Sequence, residues 1–167
     1  MEHLVTFQVG DAMWLPFKDN SFDVAVSQAM LVLVEDKYRT IQEAQRIIKK
    51  GGRAGWLELS WKKEPDEEFL NIVSNVLCAY CMTNVNTYDG WEKIFLKAGI
   101  ENLYVKRGDH VRGTFIERLK DEGIVNLIKM TLNMMKNKEI KGRSRKMDFY
   151  FKKYSDYFGL GTYVFQK

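Results

Sequence analysis

An acidic residue stands directly after a short apolar run near the start of the chain. Residues 5–9 (VTFQV) are β-branched and aromatic and end at Gly10-Asp11, which predicts a buried strand followed by a turn. Ligands of open α/β sheets bind where parallel strands end. There, Asp11 could accept a hydrogen bond from an exocyclic amine while the N–H of Ala12 or Met13 donates to a ring nitrogen, and together these contacts would recognise an adenine edge. That Asp11 only caps a turn is an equally open alternative.

A second apolar run ends in polar residues of the same kind. Residues 22–27 (FDVAVS) have no alternating polar face, which favours a strand in a sheet covered on both sides. Ser27 and Gln28 close this run. We therefore expect them at the same edge of the sheet as Asp11.

The following segment has the pattern of a βαβ unit. Asp36 is a suitable N-cap for a helix over residues 37–49, whose apolar residues recur at helical spacing. Gly51-Gly52 is predicted to end this helix, and residues 53–59 to form the next strand. This order implies parallel pairing with a right-handed crossover.

The rest of the chain divides into a short α/β part and a helical part. Pro65 and the acids that follow it predict a helix start, and residues 89–98 predict a helix that stops at Gly99. Further predicted elements are a strand at 102–105, helical segments between 115 and 132, a basic loop-like stretch at 136–146, an aromatic helical stretch at 147–158 and a strand at 161–165. We predict an α/β core at 1–107, a helical insertion at 108–158 and a closing strand of the core at 159–167.

Composition limits the class of protein. The chain has 167 residues, a formal net charge of +4 and two cysteines, an ordinary globular mix without a disulfide framework. The charge is too small to predict a nucleic-acid or membrane partner. No signal peptide or membrane-length apolar run is visible, so we expect a reduced, cytoplasmic protein.

Other reactive residues have weaker patterns. Cys78 and Cys81 have C-x-x-C spacing, but a zinc site usually needs four ligands, and buried helix cysteines fit better. His110 is either a base near a substrate oxygen or, more commonly for such a residue, a surface histidine; the other histidine is His3. The aromatic residues 149–158 form either a lid or the insertion's own core. The basic residues of 136–146 contact an anionic ligand or, more commonly, form a solvated face.

Three motifs together resemble a known family. GDAMWLPF, DNSFDVAVSQAM and EAQRIIKKGGRAGWLEL are similar to the middle of class I S-adenosylmethionine-dependent methyltransferases, of the type that includes the ubiquinone/menaquinone-biosynthesis enzymes. The matching positions are Gly10, Asp11, Ala12, Leu15, Pro16, Phe17, Phe22, Asp23, Glu43, Arg46, Gly51 and Gly52. Lys50 departs from the pattern, since the family usually has proline there.

The resemblance implies a partial Rossmann-like sheet and a binding site for S-adenosylmethionine. Asp11 and Ala12 would bind the adenine, while Ser27 and Gln28 would lie beside the methionine part. Leu15 and Phe17 would help to wall the adenine pocket. We assign Asp23, Glu43 and Arg46 to structure, leave the catalytic residues unassigned, and predict no metal site.

One part of the family pattern is missing. The family sheet has the strand order 3-2-1-4-5-7-6, and its glycine-rich cofactor loop precedes the strand matched by residues 5–9. The first two strands are therefore expected to be absent, which leaves apolar strand edges open to another chain. The implied activity is methyl transfer to a small molecule. The alternative is a non-catalytic remnant, or half of a split enzyme, that serves as an interaction module. Three outcomes are open for the exposed edges: the two strands close up against each other, two copies pair edge to edge as a homodimer, or a complementing chain supplies the missing half.

Overall fold

The computed structural model describes residues 4–77, 84–109 and 115–167 of the chain. In chain order the elements are β1 (Phe22–Gln28), α1 (Lys37–Ile47), β2 (Ile48–Trp61), α2 (Glu67–Ile72) with a π-helical turn at Val73–Leu77, β3 (Asn86–Thr87), α3 (Tyr88–Lys97), β4 (Leu103–Gly108), α4 (Phe115–Lys136), α5 (Lys138–Lys153) and β5 (Phe158–Gln166).

The chain combines a β-sheet with helices, which confirms the predicted α/β fold class. Within the described residues its strand order is β1-β2-β5-β4, and β3 pairs with the far end of β2. β1 and β2 are parallel, with Val26 opposite Gly55 and Ser27 opposite Trp56. The predicted βαβ unit is therefore present.

Helix α1 begins where the sequence predicts but ends earlier. Asp36 is its N-cap and accepts a hydrogen bond from the N–H of Arg39. The helix ends at Ile47, and extended backbone begins at Ile48, so the prediction that Gly51-Gly52 ends the helix is wrong. Gly51 instead has φ 80° within β2, next to a register shift opposite Phe22–Val24.

The two faces of β1 and β2 differ in burial, which corrects the prediction of a sheet covered on both sides. Ala54, Trp56 and Glu58 are buried on one face. Because side chains alternate along a strand, Val24 and Val26 lie on the other face, where they are 59% and 83% exposed. A Cβ on Gly55 would lie 3.4 Å from Val164 Cγ2, which places Val164 on the same open face.

Residues 5–9 are not a strand, so the prediction for this segment is wrong. They lie outside the sheet, and Phe7 and Val9 are more than nine-tenths exposed. The β-branched sequence favours extended backbone, but a strand also needs a neighbour to take its hydrogen bonds. Among the described strands, none lies beside this segment.

The chain forms two compact units. One comprises Met1–Glu58, Asp89–Lys106 and Gly161–Lys167; in its core Trp56 contacts Phe95 edge-on and stacks on Phe165.

The other unit comprises Leu59–Tyr88 and Arg107–Leu160. Phe69 stacks on Tyr157 and contacts Tyr154 and Phe158 there, so these aromatic residues form a core. Residues 138–146 belong to α5 rather than to the predicted loop, because Asn137 caps the helix and lysine and arginine are good helix formers. No described helix is both long and apolar enough to cross a bilayer.

Candidate functional site

An apolar cavity of about 470 Å³ runs along β1, a volume in the range of small-molecule sites. Four residues that the family resemblance assigns to the cofactor site line it, namely Ala12, Leu15, Phe17 and Ser27. The other lining residues are Phe22, Val24, Ala25, Val26, Met30, Thr40, Ala44, Ile47 and Trp56. Asp11 and Gln28 are outside this lining set. Residues from two separate segments that the resemblance assigns to the cofactor thus line one cavity, and their role in binding stays a prediction.

The Asp11 side chain takes part in a turn. Its Oδ1 accepts a hydrogen bond of 2.8 Å from the N–H of Met13, and its carbonyl oxygen accepts one of 3.0 Å from the N–H of Trp14. The turn-capping alternative is thus realised in the structure. Because the N–H of Met13 donates to Asp11, the N–H of Ala12 is the remaining one of the two predicted donors to an adenine ring nitrogen.

Two charged residues of α1 fix the loop at residues 12–20, which forms one wall of the cavity. Glu43 Oε2 accepts from the N–H of Leu15 at 3.0 Å. Arg46 donates to the carbonyl oxygens of Leu15 at 3.0 Å and Phe17 at 2.7 Å. These contacts agree with the structural role predicted for Glu43 and Arg46.

Ion pairs within α1 orient the side chains that hold this loop, and Arg46 also pairs with Asp19 of the loop at 2.7 Å. Glu43, almost fully buried, lies 2.8 Å from Arg46 and 3.0 Å from Arg39. The hydrogen bond from Arg46 is the main reason that the pKa of Glu43 lies below its ordinary value. Arg39 also donates to the carbonyl of Met13 at 3.1 Å and lies 4.0 Å from the Trp14 ring centroid, a cation–π distance. Asp23, also assigned to structure, pairs with Lys49 at the surface.

A second loop, residues 29–35, follows β1 and contributes Met30 to the cavity. Glu58 of β2 is fully buried, and its Oε1 accepts from the N–H groups of Met30 at 3.2 Å and Leu31 at 3.1 Å. Ala29 has a φ of 49°, an uncommon region for a residue with a Cβ, and its N–H donates to the carbonyl of Leu57.

Sequence reasoning missed Glu58. The signal for it is a carboxylate inside the apolar run WLELS, two residues after Trp56 and therefore on the same face. Burial raises its pKa, while the N–H groups of Leu31 and Met30 and the charge of Lys37 act in the opposite direction.

The remaining candidates are not part of this site as described. Cys78, Cys81, His3 and His110 lie outside the described residues. Within the part of the chain that the structure describes, no three His, Cys, Asp or Glu side chains form a group that could hold a metal ion.

Comparisons with known proteins agree with the motif resemblance. Residues 1–55 match the family described as Methyltransferase domain. The chain is 29% identical over 136 residues to the ubiquinone/menaquinone biosynthesis C-methyltransferase UbiE of Ruegeria, covering 80% of this chain and 51% of that protein. It thus spans about half the length of this curated relative.

Solved structures share the fold. The MccD protein superposes with a TM-score of 0.68 at 17% identity, over 95% of this chain and 65% of that one. A phosphoethanolamine N-methyltransferase of Haemonchus contortus, solved with S-adenosylhomocysteine, superposes with a TM-score of 0.64 at 17% identity, over 94% of this chain and 36% of that one. At these identities the likeness concerns the fold.

Proposed function

We propose that the chain is a class I S-adenosylmethionine-dependent methyltransferase domain that takes part in methyl transfer to a small molecule, with the family match at residues 1–55 as support. The observation that carries the proposal is the apolar cavity along β1, because residues assigned to the cofactor from two separate motifs line it together. The cofactor supplies the methyl group on a sulfonium, which is already a good leaving group. The residues of this chain have mainly to bind and orient the two reactants.

We infer the following roles for the site residues. Leu15 and Phe17 provide apolar walls for adenine, and the N–H of Ala12 donates to a ring nitrogen. Asp11 accepts from the exocyclic amine with the carboxylate that also holds the N–H of Met13. Ser27 and Gln28 lie beside the methionine part, for which the position of Ser27 in the cavity lining is the support.

The cofactor assignment is tested by binding rather than by turnover. Isothermal calorimetry with S-adenosylhomocysteine should detect binding to the 167-residue chain. Asp11→Ala should weaken that binding by roughly 1–3 kcal/mol, the cost of a lost hydrogen bond to a buried polar partner. The matched control is Asp156→Ala, since Asp156 is exposed and outside the cavity lining. Equal affinities in Asp11→Ala and the parental chain would leave Asp11 as a turn residue only, and no binding at all would overturn the proposal.

The proposed acceptor is a small molecule with a nucleophilic carbon, nitrogen or oxygen. The names of the relatives support this class, because they include a C-methyltransferase of quinone biosynthesis and a phosphoethanolamine N-methyltransferase. The alternative of a non-catalytic interaction module gains no support from the comparisons. A cytoplasmic location and the division of the chain at 107 and 158 stay predictions.

We further propose that another polypeptide segment covers the open side of β1. β1 is the last strand in the described order, so one row of its backbone hydrogen-bonding groups has no strand beside it. Val24 and Val26 are exposed on the open face. The occupant that fits is a segment carrying the rest of a class I sheet, because the chain spans only about half of its relative. Val24 and Val26 also line the cavity, so this segment would pair with the free edge of β1 and close the cavity on their side rather than fill it.

Light scattering distinguishes this occupant from a second copy of the chain. The chain alone should remain monomeric over a wide concentration range. A dimer that Val26→Asp abolishes, and that Leu96→Asp on the exposed surface of α3 does not, would show that a second copy covers the edge instead.

A further inference from the structure

The loop at residues 29–35 has an unusual support. Its N–H groups at Met30 and Leu31 both point to the same carboxylate oxygen, Glu58 Oε1. Leu31 is completely buried, so this part of the loop cannot exchange its contact for water. Glu58 therefore fixes the backbone where the chain leaves β1.

A buried carboxylate is a costly way to fill a core position. Glu58 is fully buried, and removing a carboxylate from water is unfavourable unless hydrogen bonds compensate. An apolar residue on the same face as Trp56 would serve packing alone at least as well. The carboxylate accepts hydrogen bonds from the two loop N–H groups, which an apolar side chain could not do.

The backbone held in this way belongs to the cavity wall. Met30 lines the cavity directly, as does Ser27 at the end of β1. Between them, Ala29 adopts a φ of 49°, a conformation that needs support from its surroundings. Its N–H is held by Leu57, the residue before Glu58. Leu57 and Glu58, which are adjacent in β2, thus hold the backbone before and after Met30.

We propose that Glu58 is a positioning residue for the cofactor site, because it holds Met30 and Leu31 in the conformation that shapes the cavity beside Ser27. This inference rests on the proposed function. Glu58 touches the loop rather than the cavity, since it is absent from the lining residues. Its effect on binding is therefore indirect.

A series of variants at one position tests the proposal. Glu58→Gln keeps an oxygen that accepts from the loop amides, whereas Glu58→Leu leaves both N–H groups without it. Glu58→Asp keeps the charge but shortens the reach. The exposed Glu64 supplies the matched controls Glu64→Gln and Glu64→Leu.

The first readout is the affinity for S-adenosylhomocysteine by calorimetry. Glu58→Gln should bind within threefold of the parental affinity, an RT ln ratio of about 0.7 kcal/mol, whereas Glu58→Leu and Glu58→Asp should bind at least tenfold more weakly. The second readout is amide hydrogen exchange without ligand. Protection should fall at Met30 and Leu31 in the Leu and Asp variants and remain unchanged in α1.

The possible outcomes separate the two proposals. If the parental chain does not bind, the proposed function fails and this inference fails with it. If the parental chain binds and the Leu and Asp variants bind equally well, only the role of Glu58 is overturned. Should Glu58→Leu not fold, the Asp variant and its exchange rates decide, and parental protection at Met30 and Leu31 in that variant would also overturn the inference.

Discussion

The two loops that line the cavity are held in place by opposite electrostatic arrangements. Residues 12–20 are fixed by Glu43, which is surrounded by Arg39 and Arg46 and has a lowered pKa. Residues 29–35 are held by Glu58, whose pKa is raised mainly because its side chain is buried. Both glutamates accept from loop N–H groups. The difference indicates that ion pairing and burial can serve the same positioning task, and it predicts opposite responses of the two glutamates to acid.

The largest effect is expected where the ion pairs are removed. Glu43→Ala takes the acceptor from Leu15 and leaves the two arginines without their buried partner. We expect the free energy of unfolding to fall by about 3 kcal/mol, measured by urea unfolding followed by circular dichroism. The exposed control Glu64→Ala should change it by less than about 0.5 kcal/mol. A loss in Glu43→Ala no larger than in the control would show that the loop does not depend on this residue.

A pH series contrasts the two glutamates directly. The folded pKa of Glu43 is lowered, so its contribution is present above its ordinary pKa, about 4.3, and is lost as the pH falls through the folded pKa. The folded pKa of Glu58 is raised, so its contribution is present below the ordinary pKa and is lost as the pH rises through the folded pKa.

Urea midpoints between pH 7 and pH 2.5 test these signs, since the loss expected from Glu43 falls below its ordinary pKa. Glu43→Gln should lose less stability on acidification than the parental chain, because its acid-sensitive group is gone. Glu58→Gln should lose more, because the parental chain regains stability there as Glu58 takes up a proton. Parallel curves for the three proteins would contradict both assignments.

The smallest effect is expected at Ala29. Its positive φ suits glycine, which has no Cβ, although glycine also loses more backbone entropy on folding. Ala29→Gly should therefore raise the free energy of unfolding by no more than about 1 kcal/mol. Urea unfolding of Ala29→Gly and Ala29→Val would check the sign, because valine should destabilise this conformation. Stabilisation by valine would be incompatible with the left-handed backbone.

Local sequence patterns predicted the elements whose determinants are local. The cap at Asp36 begins α1, and Gly99, with φ 92°, follows the end of α3. The motifs at residues 10–17 and 22–28 also predicted residues that line the same cavity, because both segments follow the family pattern closely.

Patterns failed where the outcome depends on distant neighbours. Residues 5–9 have strand-forming residues, but strand formation also needs a paired backbone. Glu58 resembles an ordinary polar residue of a strand in the sequence, and only the packing of loop 29–35 against it gives the side chain its role. The basic residues at 138–146 belong to α5 because lysine and arginine are good helix formers, whereas their charge pattern alone also fits a loop.

The open face of β1 affects how mutational scans of this chain should be interpreted. Polar substitutions at Val24 and Val26, both exposed, would pass a screen for folding of the chain alone, because exposed positions tolerate polarity. A screen for the proposed methyl transfer would reject the same substitutions. Because Val24 and Val26 also line the cavity, comparing the two screens would show which residues on this side of the sheet are needed for function rather than for folding.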